Sequence, residues 1–140
     1  MNETIRHKWV EALLSGEYAQ ASTFLRRNDD GRPDRFCCLG VLCDLYIKET
    51  GKGRWEADIS RAAVTFNDGL DHVNDKLPPS VQEWADLNSP NGALLQSIKA
   101  RPTDPEAVLF NNSYGSLARL NDSGFTFAEI AAIIADPTKV

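Results

Sequence analysis

Apolar residues return every three or four positions near both ends of the chain, with turn-forming clusters between the stretches. Ile5, Trp9, Ala12 and Leu13 share one face and predict a helix over residues 3–14, with Asn2 as its cap and Ser15-Gly16 as its stop. Residues 18–27 have no clean period, and Thr23-Phe24-Leu25-Arg26-Arg27 reads as a short strand ahead of the turn residues 28–33. The apolar run Phe36–Ile47 is the hydrophobic centre. Its extension through Lys48-Glu49 to Thr50-Gly51 favours a buried helix of roughly three turns over a strand.

Further along, residues 62–66 and 70–73 are expected to pair as a hairpin across Asn67-Asp68-Gly69. Leu77-Pro78-Pro79 opens another helix, with Ser80 and Glu83 at capping-box spacing and Val81, Trp84 and Leu87 on one face. Residues 88–105 read as loop, Val108-Leu109-Phe110 as a strand and 114–120 as a short helix. Thr126 then caps a last helix, with Glu129 three residues on, the stripe Phe127, Ile130, Ala131 and Ile134, and Pro137 as the stop. The sum is a single α+β domain over residues 1–140, helix-rich, with a small antiparallel sheet and a C-terminal αα-hairpin.

Composition refines this. The 140 residues are 42% apolar and 25% charged, which are globular proportions. The polar start reads as lacking a signal peptide, and three cysteines without an export signal read as reduced thiols of a cytoplasmic protein. Residues 1–61 hold ten basic and ten acidic side chains, so the net charge of −5 lies in the second half. Duplex nucleic acid needs uncompensated cations along a face. The longest uncharged apolar run, Phe36–Cys43, is too short to cross a bilayer, so neither the duplex nor a membrane is an expected partner.

Three groups of residues carry candidate chemistry. Cys37 and Cys38 lie near a helix start, where the dipole favours thiolate, and His72, oriented by Asn74 or Asp75, would be the base of a thiol hydrolase. The competing reading puts Cys37, Cys38 and Cys43 in the core as small hydrophobes. No metal site and no cofactor is expected, because no Cys/His spacing fits a zinc site. Arg26, Arg27, Arg32 and Arg35 form the second group, four guanidiniums within ten residues. They suit a phosphate or carboxylate, or else they pair with Asp29, Asp30 and Asp34. Tyr18, Phe24, Phe36 and Trp55 could stack a base and Gln20 could read its edge. The third group, residues 117–131, has the outline of a helix-turn-helix but no basic recognition helix, and reads as a packing motif.

Several segments together resemble small proteins encoded by tailed phages and prophages. They are Trp9-Val10-Glu11-Ala12-Leu13, Ser15-Gly16-Glu17-Tyr18, Phe36-Cys37-Cys38-Leu39-Gly40-Val41-Leu42-Cys43, Leu77-Pro78 with Trp84, and Leu120-Asn121-Asp122-Ser123-Gly124. The resemblance implies a phage origin and brings no catalytic residues. Phage accessory proteins of this kind include anti-defence sponges, oligomers that cage nucleotide signals in the host cytoplasm. The resulting expectation is a non-enzymatic, homo-oligomeric protein that sequesters a small anionic nucleotide-type ligand through Tyr18, Gln20, Arg26, Arg27, Arg35, Trp55 and His72. The alternatives are the thiol hydrolase and a protein-binding inhibitor that uses the acidic half.

Overall fold

A computed structural model describes residues 1–29, 32–57, 62–99 and 113–140. Its helices are α1 (Glu3–Leu14), α2 (Cys38–Thr50), α3 (Pro79–Ala85), α4 (Leu117–Asp122) and α5 (Phe127–Ile134). Its strands are β1 (Ala19–Gln20), β2 (Arg26–Arg27), β3 (Arg35–Phe36), β4 (Arg54–Ala57), β5 (Ala63–Asn67), β6 (His72–Val73), β7 (Ala93–Lys99) and β8 (Ser113–Ser116). The architecture is α+β, as expected. The predicted strand at 108–110 lies outside the described residues.

The expected caps formed at three helices. The Asn2 side chain accepts from the Ile5 amide, Thr126 and Glu129 complete a capping box, and Gly51 ends α2 in the left-handed region at φ 67°. The cap of α3 differs. Its N-cap is Pro78, and Ser80 donates its hydroxyl hydrogen to Asp68 across the β5–β6 turn instead. Local spacing favoured a cap there, but the helix starts at Pro79, which puts Ser80 inside its first turn rather than at its cap.

Two further expectations changed. Residues 93–99, read as loop, form β7 and pair antiparallel with β8 (113–116), of which 114–116 were assigned to helix. Leu94 and Ile98 are half-buried while most of β7 is exposed, so the strand gives a weak hydrophobic signal. The main sheet is also mixed rather than purely antiparallel. Its order is β1-β3-β2-β5-β4, with β1 parallel to β3 and β6 sharing an edge of β5 with β2. The predicted hairpin is the β5–β6 pair, with Phe66 opposite Val73 and Asn67 opposite His72.

Around α2 the interior is apolar nearly without break. Leu39, Val41, Leu42 and Cys43 are sealed, with Trp9 and Leu13 of α1, Leu25, Phe66, Leu117, Leu120, Ile130 and Ile134 in the same cluster. The Trp9 indole N–H donates to the Cys38 carbonyl at 2.9 Å, which fixes α1 on α2. Arg6 is a buried exception. Its guanidinium donates to the carbonyls of Ile134 and Val140 and to Glu3, joining α1 to the end of the chain.

The tightest approach is at Gly40, where α2 lies on the backbone before β2. A Cβ there would stand 1.7 Å from the Leu25 carbonyl oxygen. That carbonyl also accepts the Cys37 amide, and the Leu25 amide donates to Asn74, so the backbone cannot retreat. Gly40→Ala is expected to cost about 3 kcal/mol and to lower Tm by roughly 10 °C in thermal denaturation. Gly115→Ala, with nothing within 4 Å of its Cβ position, should leave Tm nearly unchanged.

Candidate functional site

The arginines come together because two short strands carry them. On the antiparallel β2–β3 pair, Arg26 is opposite Phe36 and Arg27 is opposite Arg35. Like charges directly across a ladder repel, so the Arg27–Arg35 pair needs an anion between its heads. Asp29 supplies it. Its Oδ2 accepts from an Arg35 Nη and lies 3.5 Å from Arg27 Nε. The hydrogen bond from Arg35, aided by the charge of Arg27, holds the Asp29 carboxyl below its ordinary range. Arg26 pairs separately with Asp34 and lies over the rings of Phe36 and Trp55, at 5.1 and 5.5 Å from their centroids.

One donor in this cluster is unsatisfied. Arg27 Nε is buried and has no well-formed hydrogen bond among the described residues, its ion pair with Asp29 standing at 3.5 Å. The Arg27 guanidinium also lies 5.6 Å from the Phe24 ring centroid. Arg35 lines an adjacent cleft of about 360 Å³ with Gln20, Ser22, Asn121 and Asp122. The competing sequence reading, in which arginines pair with aspartates, thus describes Arg26, Arg27 and Arg35, while leaving a donor of Arg27 unused.

Three of the aromatic candidates, Tyr18, Phe36 and Trp55, are packed on one another, while Phe24 lies beside Arg27. Phe36 meets Tyr18 edge-on at 5.1 Å and Trp55 at 6.0 Å, and Trp55 also meets Phe66. Asp44 of α2, not singled out in the sequence, fixes them from below. It accepts from the Tyr18 hydroxyl at 2.6 Å, the Trp55 indole N–H at 3.0 Å and the Lys48 ammonium at 2.9 Å. Its burial alone would raise the carboxyl, but these three donors outweigh burial and hold it below its usual range. Burial, followed by the Asp44 hydrogen bond, raises the Tyr18 hydroxyl. An i, i+4 pair of Asp44 and Lys48 on a predicted helix was the available signal.

Gln20 is committed elsewhere. Its amide nitrogen donates to Asn121 and to the Phe125 carbonyl, and its oxygen accepts the Phe127 amide, so it staples β1 to the helical hairpin. Expected as a base reader, it has no free edge to read with. His72 lies apart on exposed β6, opposite Asn67, with Glu56 as its charged neighbour.

The cysteines are interior. Cys37 caps α2, its sulfur accepting from the Gly40 amide at 3.4 Å. Cys38 and Cys43 are sealed. Burial dominates over the helix terminus, pushing the Cys37 thiol up to about 11 and the other two well above their ordinary value. The thiol hydrolase reading needs a thiolate beside an imidazole, whereas these thiols are buried and protonated and His72 is exposed. No cluster of metal-ligating side chains occurs among the described residues, and no described helix is long and apolar enough to cross a membrane.

A family model described as a domain of unknown function, DUF8296, matches residues 1–138, and the chain belongs to that family. No curated protein and no solved structure matches the chain.

Two outcomes test this geometry. In native protein at pH 8 an alkylating reagent should modify none of the three thiols, and all three after denaturation, as counted by intact mass. Asp44→Asn should destabilise the fold at pH 7 by about 2 kcal/mol, because three donors lose their charged acceptor. A carboxyl lowered on folding stabilises fully above its ordinary value near 3.8 and less as pH falls through it. The gap between wild type and variant should therefore narrow on acidification in urea titrations.

Proposed function

We propose that this member of the DUF8296 family is a non-enzymatic binding protein that captures a small anionic ligand of the nucleotide type. The observation that carries the reading is the Arg27–Arg35 cross-strand pair with its unsatisfied Nε, held together by one internal carboxylate beside a cleft. A phosphate group offers more acceptor oxygens than the Asp29 carboxylate and matches guanidinium forks in shape. Entering between the two arginines, it would take the place of Asp29 and satisfy the idle donor, with its remaining atoms along Ser22 and Asn121. Arg26 and the Tyr18–Phe36–Trp55 stack support the strands from one side. Rings already packed edge to edge make a rigid wall there rather than a sandwich for a base.

Sequestration requires affinity and no stabilised transition state, which accords with thiols that are buried and protonated. The resemblance to phage proteins supports a specific role. The ligand would be a host defence signal carrying phosphates, and the protein would act as an oligomer in the host bacterial cytoplasm.

The test is uptake. Purified protein is incubated with cyclic dinucleotides and ADP-ribose-type ligands, separated from free ligand, heat-denatured and analysed by mass spectrometry. Stoichiometric release of unaltered ligand is expected. Arg27→Met and Arg35→Met should each weaken binding roughly tenfold or more. Asp29→Asn, which removes the competing anion, should tighten it. Failure to take up any phosphate-bearing ligand overturns the reading, and a chemically altered product overturns its non-enzymatic part.

A further inference from the structure

A second cleft, on separate elements, is formed by the end of α2, the β5–β6 turn and α3. It encloses about 620 Å³ and is lined by Tyr46, Lys52, Asp68, Leu70, Glu83 and Trp84, among others. That volume falls within the range of small-molecule sites.

Two of its ring donors have no partner within the described protein. Of the three tryptophans, Trp9 donates to Cys38 and Trp55 to Asp44, while the Trp84 indole N–H makes no hydrogen bond within the described protein. Tyr46 is only 6% exposed, and its hydroxyl likewise makes none. Neither atom is sealed from solvent, since Arg27 Nε is the one such buried orphan among the described residues. The two rings meet edge-on at 5.5 Å, and both residues line the same cleft. Both donors are open to solvent at the cleft and are therefore available to a ligand that brings acceptors.

The charges add a second constraint. Lys52, from the loop after α2, and Glu83 of α3 have no ion-pair partner among the described residues. Asp68 is spent, its oxygens accepting two backbone amides and the Ser80 hydroxyl. Leu70 projects from the β5–β6 turn at the cleft rim and is 90% exposed. A free ammonium, a free carboxylate, two acceptor-seeking ring donors and an exposed apolar side chain thus share one concavity.

We propose that this cleft binds a zwitterion bearing an apolar side chain, the chemistry of hydrophobic amino acids and short peptides. The ligand carboxylate takes Lys52 and the ring donors of Tyr46 and Trp84. Its ammonium takes Glu83, and its side chain covers Leu70. The assignment shares no lining residue with the arginine cleft, so either can fail alone.

Isothermal titration calorimetry of the full chain with leucine, phenylalanine, leucylglycine and N-acetyl-leucine amide tests it. Saturable binding is expected for the zwitterions, and the free amino acids against the dipeptide distinguish the two sources. The uncharged amide should bind roughly tenfold more weakly. Lys52→Met and Glu83→Gln, both at the surface, should each lose a similar factor. Tyr46→Phe should weaken binding while leaving Tm unchanged, because its hydroxyl has no protein partner to lose. Absence of saturable binding by every zwitterion overturns the proposal, and so does equal binding of the capped amide.

Discussion

The carboxamide of Asn121 joins parts of the chain that are far apart in sequence, and the rest of the arrangement depends on it. Its oxygen accepts the Cys38 amide at the start of α2 and the Gln20 side chain, and its nitrogen donates to the Ala21 carbonyl at 2.7 Å. A buried amide is costly unless its atoms are satisfied, and these partners come from β1, the segment after it and α2. The neighbouring Asp122 holds the Thr23 amide, where the backbone takes a left-handed φ of 73°. Together these bonds dock the helical hairpin against the segment that leads into β2. They bring α2 so close to Leu25 that only glycine fits at position 40.

That docking positions the charges. Strands β2 and β3 are two residues each, too short to hold a register by themselves. Phe36 points into the core beside Cys37, Leu25 is sealed behind Arg26, and Asp44 of α2 ties down the rings on either side of Phe36. With Phe36 of β3 fixed inward, alternation puts Arg35 on the other face, where the register sets it opposite Arg27. Asp29 makes the juxtaposition tolerable and, on the proposed reading, is the group that a ligand's phosphate displaces. Stability and binding then act on the same two arginines in opposite senses, which is common where a site holds its own charges in check.

Much of the scaffold was legible. Asn2, Thr126 with Glu129, and Gly51 signalled helix ends through chemistry that acts over three or four residues, and each acted as its spacing implied. The interior position of Cys37, Cys38 and Cys43 followed from their apolar neighbours. Strand β7 was missed because it is mostly exposed, its Leu95 amide bonded to the Lys139 carbonyl and its ladder irregular between Ala93 and Ile98. The Ser80–Glu83 cap was misassigned because Pro78 and Pro79 start the helix two residues earlier, leaving the Ser80 hydroxyl to donate to Asp68. Of the candidate site residues, Arg26, Arg27, Arg35, Tyr18 and Trp55 do lie together, whereas Gln20 is consumed by the hairpin and His72 stands apart.

The chain's local order therefore determined its helices, their caps, its α+β class and the burial of its sulfur atoms, because periodicity and capping are properties of near neighbours. Tertiary structure alone decided which arginine faces which, that Asp29 serves two of them, that Asp44 gathers the rings, and that Tyr46 and Trp84 share a cleft with idle donors. Those outcomes turn on strand register and on helices meeting across long separations. A two-residue strand carries no pattern from which its partner can be read, so its register is set by the packing around it.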